Sequence, residues 1–206
     1  MYKLYWSADT GALAPQIVLE ETGIDYQRCE VDIEAGEEMT PGYLAINPRG
    51  QVPALVLPDG SVITESAAML LHLGEAQDDG VLLPATGSSA RAQLYRWLFF
   101  AASNLYEGVL RLYYSDRYIS NPEHAAEVEA AARSFVDNNW ALLEDAIVGP
   151  YFLGDQYSVI DPYLLMLSNW HEKPQALFAA NPKLTTLCRT VRDRPAVQRI
   201  WAQHFS

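Results

Sequence analysis

The sequence predicts an α/β plus all-α chain, with a small α/β domain first and an all-helical domain after it. Three observations predict this. Strand and helix patterns alternate as β-α-β-(α)-β-β-α over about the first 78 residues, the order of a small mixed sheet covered by helices. The stretch from Asp78 to Ser89 is rich in Asp, Gly, Pro and Ser, the composition of a connector. Beyond it, apolar residues recur at helical spacing. The expected ranges are 1–78 for the α/β domain, 79–88 for the linker and 89–206 for the helical domain.

Lys3 to Trp6 is short, aromatic and apolar and reads as a strand. After the polar turn Ser7-Ala8-Asp9-Thr10-Gly11, Leu13, Ile17 and Val18 keep helical spacing, Pro15 fits a first turn and Gly23 is a stop signal. Tyr26 to Val31 is a second strand. Asp32 to Tyr43 is acidic and irregular, with a short helix expected to end near Pro41-Gly42. Ala54–Leu57 and Ser61–Ile63 flank Pro58-Asp59-Gly60, a hairpin turn. Thr64-Glu65-Ser66 offers an N-cap to a helix whose apolar side carries Leu70, Leu71 and Leu73. Leu94, Trp97, Leu98, Ala101, Leu105, Val109 and Leu112 predict one long helix over about 90–117, followed by a second over about 122–146. Ser158-Val159-Ile160-Asp161 is a capping box, with Tyr157 placed for a hydrophobic staple, and Pro182 and Pro195 open two further helices.

The composition excludes several classes. Half of the 206 residues are hydrophobic and 19% are charged, so the chain is globular rather than disordered. Lys+Arg 14 against Asp+Glu 26 gives a net charge of −12, which repels phosphate backbones and anionic membranes. No apolar run approaches the ~18 residues a spanning helix needs. The first residues make a poor secretion signal. Cys29 and Cys188 lie far apart, without a C-x-x-C pair, and no His pair has metal spacing, so neither a disulfide framework nor a metal is expected. His72, His124, His171 and His204 are expected to be structural or surface residues. A cytoplasmic protein is the expectation.

Two segments carry the chemistry. In Asn47-Pro48-Arg49-Gly50-Gln51-Val52-Pro53-Ala54-Leu55, a proline immediately precedes a buried strand. A trans bond would merely open an edge strand. A cis Val52–Pro53 bond would turn the Val52 N–H and C=O outward, to pair with an extended peptide ligand. Thr64-Glu65-Ser66 meets a helix N-terminus, where amides and a hydroxyl suit a carboxylate and Glu65 suits an ammonium group. The same tripeptide also serves as a plain helix cap.

Together these segments resemble the glutathione transferase superfamily. Gln51-Val52-Pro53-Ala54-Leu55 followed by Glu65-Ser66 looks like its glutathione site, and Leu4-Tyr5-Trp6 with the following loop and helix looks like its first β-α unit. Tyr157-Ser158-Val159-Ile160-Asp161 is similar to the capping box of its sixth helix, although Pro162 is unusual there, and Arg194-Pro195-Ala196-Val197 resembles its C-terminal stretch. The resemblance implies a thioredoxin-like N-terminal domain, an all-helical C-terminal domain, a homodimer, glutathione as co-substrate and a role in detoxification. It also implies that Val52 pairs with the cysteinyl part of glutathione, while Glu65 and Ser66 hold the γ-glutamyl head and Gln51 contacts it or the adjacent backbone. By the same resemblance Pro53 belongs to the glutathione-binding set.

The overall pattern is similar to the bacterial, cysteine-bearing type, yet Gly11 occupies the position of its loop cysteine and Tyr106 that of its histidine. A mixed disulfide with glutathione therefore has no loop nucleophile. Activation of a thiol falls instead to a hydroxyl donor or a helix N-terminus. Thr10 matches the serine-type position first and Ser7 next, with Tyr5 and Tyr106 as further options. Tyr106, Tyr113, Tyr114 and Trp170 are candidate walls for an apolar second substrate, or core aromatics. The resemblance implies a Lys or Arg for the glycyl carboxylate of glutathione after the second strand, but Glu30 to Tyr43 contains five acids and no base, so either Arg49 or a residue of the helical domain substitutes, or the affinity for glutathione is modest. Two readings stand: a transferase joining glutathione thiolate to a small apolar electrophile, with peroxidase activity as a variant, or a weakly catalytic binding and assembly module.

Overall fold

A computed structural model describes residues 1–76 and 82–205, so residues 79–81 of the expected linker lie outside the described residues. The chain divides into two compact units, Met1–Leu83 with Arg192–Ser206, and Pro84–Val191.

The first unit is built on a four-stranded sheet of order β2-β1-β3-β4. β1 (Tyr2–Trp6) pairs parallel with β2 (Tyr26–Glu30) and antiparallel with β3 (Ala54–Val56), and β3 pairs antiparallel with β4 (Val62–Ile63). Alternation decides which side chains go inward: Leu4 and Trp6 are buried, whereas Tyr5, on the opposite face, meets the Tyr43 ring edge-on at 5.9 Å. α1 (Leu13–Thr22) and α3 (Ser66–Glu75) pack together, burying Leu13, Ile17, Met69, Leu70 and Leu73. Gly23 closes α1 in the left-handed conformation, as expected. In the β3–β4 hairpin, Asp59 accepts both the N–H and the hydroxyl of Ser61.

Pro41 begins a helix rather than ending one. Thr40 accepts the Tyr43 N–H, Pro41 takes the first helical position, and α2 runs Pro41–Leu44. The missing proline N–H and fixed φ suit that position. A 3-10 turn at Glu37–Met39 precedes it.

The final helix, α10 (Pro195–His204), belongs to this first unit and packs on α1. Arg194 binds Glu21 through two hydrogen bonds, and Arg199 binds Glu20 at 2.7 Å.

The second unit is helical. The expected long helix runs from Ser89 to Tyr113 as α4 (Ser89–Phe100), a π segment (Ala101–Tyr106) and α5 (Glu107–Tyr113), followed by a 3-10 turn at Ser115–Tyr118. The Ser103 hydroxyl and the Asn104 amide donate to the Phe99 and Phe100 carbonyls, providing polar partners where the ordinary ladder is interrupted. α5 lies against α6 (Ala125–Ala146). Gly108 permits that approach, because a Cβ there would stand 2.8 Å from Val136 Cγ2. α7 (Ile160–Asn169) is almost wholly buried. Its Asp161 accepts the N–H groups of Phe152 and Ser158, both at 2.7 Å, and the Ser158 hydroxyl at 3.1 Å. α8 (Pro174–Ala180), opened by a proline as the two expected helices are, and α9 (Pro182–Arg192) complete the unit.

Candidate functional site

The expected ligand-binding residues lie on two segments of the first unit, which the Arg49–Glu65 ion pair joins. Asn47-Pro48-Arg49-Gly50 forms a turn in which Asn47 Oδ1 accepts the Arg49 N–H and the Asn47 carbonyl accepts the Gly50 N–H. Gly50 is required there, since its φ is +59° and a Cβ would lie 2.5 Å from Met39 Sδ. The Gln51 carbonyl beyond the turn accepts two hydrogen bonds, from the Tyr43 hydroxyl at 2.7 Å and from Asn47 Nδ2 at 2.6 Å. The following Val52–Pro53 bond is cis, and Pro53 is buried. Tyr43 and Asn47 thus fix the backbone entering Val52. Asn47 lies within the Asn47–Leu55 segment that stands out in the sequence, whereas no local sequence pattern assigns this task to Tyr43.

Glu65 and Ser66 follow β4. Glu65 has φ +66°, a conformation costing roughly 1–3 kcal/mol in a residue other than glycine. It stands at the N-terminus of α3, where the first amides of a helix have no intrahelical partner. Its carboxylate meets Arg49 Nη1 at 3.2 Å, and both side chains are more than half exposed. The Ser66 hydroxyl donates to the Gly11 carbonyl at 2.8 Å, in a buried setting. That bond ties the N-terminus of α3 to the β1–α1 loop, so two segments far apart in the sequence lie side by side.

The loop hydroxyls differ in their commitments. Thr10 Oγ1 donates to the Ser7 carbonyl at 2.7 Å and accepts the Ala12 N–H at 3.3 Å. Its one proton is therefore used inside the loop. The part-buried Ser7 hydroxyl has no hydrogen-bond partner among the described residues. Burial, with a smaller contribution from Cys29, raises the Tyr5 phenol above its ordinary value, and burial pushes Tyr43 up to about 12. Both remain neutral phenols at physiological pH.

In the second unit, Tyr106 lies in the π segment and meets Trp170 edge-on at 5.2 Å, while the Tyr113 hydroxyl donates to the Trp170 carbonyl at 3.0 Å. The three expected aromatics therefore form one group. Tyr114 is exposed and carries the Arg117 guanidinium 4.0 Å over its ring. Among the described residues no group of three His, Cys, Asp or Glu could hold a metal ion, and no helix is long and apolar enough to cross a membrane.

Residues 12–76 match the glutathione S-transferase N-terminal domain family. The chain is 27% identical to glutathione S-transferase GstA of Escherichia coli O157:H7, over 95% of both chains. Among solved structures, a glutathione transferase homologue from Sulfitobacter with bound glutathione is 30% identical, with a TM-score of 0.92 over 100% of this chain and 99% of that one. The bacterial transferase BphK, solved as a ternary complex, is 31% identical, with a TM-score of 0.85 over 98% of each chain.

Proposed function

The chain belongs to the glutathione S-transferase family of enzymes, and from that premise we propose that it joins the thiolate of glutathione to a small apolar electrophile. A carbon–sulfur bond forms, the electrophile's leaving group departs with its electron pair, and the thiol proton passes to solvent. The observation that carries this reading is the Ser66–Gly11 hydrogen bond, because it brings the ligand-holding helix N-terminus to the loop that must activate a thiol. Val52 would pair through its backbone with the cysteinyl part of glutathione. The first amides of α3 would take the γ-glutamyl carboxylate, and Glu65 its ammonium group. Arg49 engages Glu65 through Oε1, so that ammonium group would take Oε2 beside it or exchange with Arg49. An exposed ion pair is worth only about 0–1 kcal/mol, so the exchange is inexpensive.

Ser7 is the thiolate donor in this reading, and Thr10 holds the loop, since the Thr10 proton already goes to the Ser7 carbonyl. Tyr106, Tyr113 and Trp170 would supply the apolar wall for the electrophile. The working unit would be a cytoplasmic homodimer serving detoxification.

A hydrogen bond to a charged group contributes about 1.5–3 kcal/mol, so Ser7→Ala should lower kcat for chlorodinitrobenzene conjugation by an order of magnitude or more. Thr10→Ala should cost stability more than rate. Unchanged kcat in Ser7→Ala, with a large loss in Thr10→Ala, would transfer the role to Thr10. A second reading, a glutathione-binding module with little chemistry, is favoured by Gly11 at the cysteine position and by the base-free acidic stretch from Glu30 to Tyr43. Binding of glutathione without turnover of any electrophile tested would support it.

A further inference from the structure

The last helix reaches back to the first loop. His204, at the end of α10, is 5% exposed. Its Nδ1 accepts the backbone N–H of Asp9 at 3.2 Å. A nitrogen that accepts carries no proton, so the ring proton resides on Nε2, which lies 2.9 Å from Gln16 Oε1 on α1. Gln16 donates onward to Gln203 at 2.9 Å, and Gln203 also accepts from Arg28 on β2. The Trp6 ring packs 5.1 Å from the imidazole. Both ring nitrogens are thus engaged, one by the loop and one by α1. Burial, reinforced by the Arg28 charge, lowers the imidazole to about 4, which keeps this neutral form in place at physiological pH.

The residue His204 holds is at a turn position. Asp9 has φ +50°, a left-handed conformation that aspartate adopts more readily than most residues with a Cβ. It lies within the Ser7–Gly11 turn, where Thr10 closes the loop on the Ser7 carbonyl and Ser66 holds the Gly11 carbonyl. A local bond, one from α3 and one from α10 therefore constrain the turn at three points.

We infer that His204 is a positioning residue for this enzyme: its Nδ1 fixes Asp9 and thereby the shape of the Ser7–Gly11 loop that presents the thiol-activating hydroxyl. The inference rests on the reading of that loop as the activating segment. A histidine that merely packs α10 onto α1 would have no need of an acceptor directed at the loop.

Two variants separate these roles. His204→Asn places an amide oxygen where Nδ1 stands and keeps the acceptor for the Asp9 N–H. His204→Gln extends its amide toward Gln16 and offers no acceptor at the Nδ1 position. Both lose the ring against Trp6, so the packing loss is common to them. One neutral hydrogen bond corresponds to about fivefold in an equilibrium. Relative to His204→Asn, His204→Gln should show kcat for chlorodinitrobenzene conjugation lower by about that factor, an unchanged glutathione KM, and a raised apparent thiol pKa in the pH profile of kcat/KM. Amide exchange at Asp9, Gly11 and Ala12 should be faster in the Gln variant by a similar factor. Equal rates and equal exchange in the two variants would overturn the inference. If the wild-type protein turns nothing over, the function reading fails, while exchange still decides the His204 contact: faster exchange in the Gln variant alone upholds it, and equal exchange removes it.

Discussion

Replacing Ser66 with alanine separates two tasks that one hydroxyl cannot perform together. Its single proton is donated to the Gly11 carbonyl at 2.8 Å, and both residues are buried. A ligand carboxylate at the same place must therefore be held by the free amides that open α3, which the substitution leaves intact. Ser66→Ala removes the bond to Gly11 and leaves a buried carbonyl without its donor, a loss of about 1–3 kcal/mol. For a chain of this length each kcal/mol corresponds to roughly 2–4 °C in Tm. The expected result is a drop of several degrees, measured by calorimetry, with the glutathione KM raised by less than about threefold, a change under 1 kcal/mol. A KM raised tenfold or more with an unchanged Tm would refute the reasoning, because it would show that the hydroxyl serves the ligand rather than the loop.

Asp161→Asn should cost about 2–3 kcal/mol by urea denaturation, since one amide oxygen cannot accept from both Phe152 and Ser158 as two carboxylate oxygens do; a loss below 1 kcal/mol would argue that the box is not a stabilising element. Gly50→Ala should destabilise by about 1–2 kcal/mol, because alanine is penalised at φ +59° and its Cβ would collide with Met39; chemical denaturation reads this directly. His204 gives an acid limb. Its folded value is depressed to about 4 against an ordinary 6.5, so the unfolded chain binds a proton first as pH falls. Its contribution is complete above pH 6.5 and is lost through the interval down to about 4, up to about 3 kcal/mol. Wild type should lose stability over that interval more steeply than His204→Asn, whose amide does not titrate, and parallel curves would contradict this.

The elements legible in the sequence are those whose signals are local. Pro58-Asp59-Gly60 marks a hairpin because a turn needs those residue types, and Ser158-Val159-Ile160-Asp161 marks a helix start, although only half of the box forms: Asp161 accepts the Ser158 N–H, while the Ser158 hydroxyl donates to the Asp161 carboxylate rather than capping a helix amide. Pro41 reads as a helix end, since proline disrupts helix interiors, whereas Thr40 supplies the cap that makes it a beginning. The π segment lacks a comparable sequence mark. The contacts that shape the site are long-range: Ser66 with Gly11 is 55 residues apart and Asp9 with His204 is 195. Periodicity places His204 on a helix but carries no information on what its Nδ1 will meet.

The absence of cysteine at Gly11 changes what the loop has to do. A thiolate nucleophile on the protein brings its own reactivity, and modest looseness around it is tolerable. A loop that only stabilises the thiolate of a bound molecule works by placement, and a displaced donor loses most of an electrostatic effect whose strength depends on preorganisation. The turn from Ser7 to Gly11 carries the marks of that requirement. A residue with a Cβ is held at positive φ, a threonine hydroxyl is spent on internal closure, and the ends of two helices distant in sequence hold the backbone. Each of these costs conformational freedom or a hydroxyl that could otherwise meet a ligand. In the proposed transferase reading, a turn constrained at these points would serve to position the reacting thiol of glutathione.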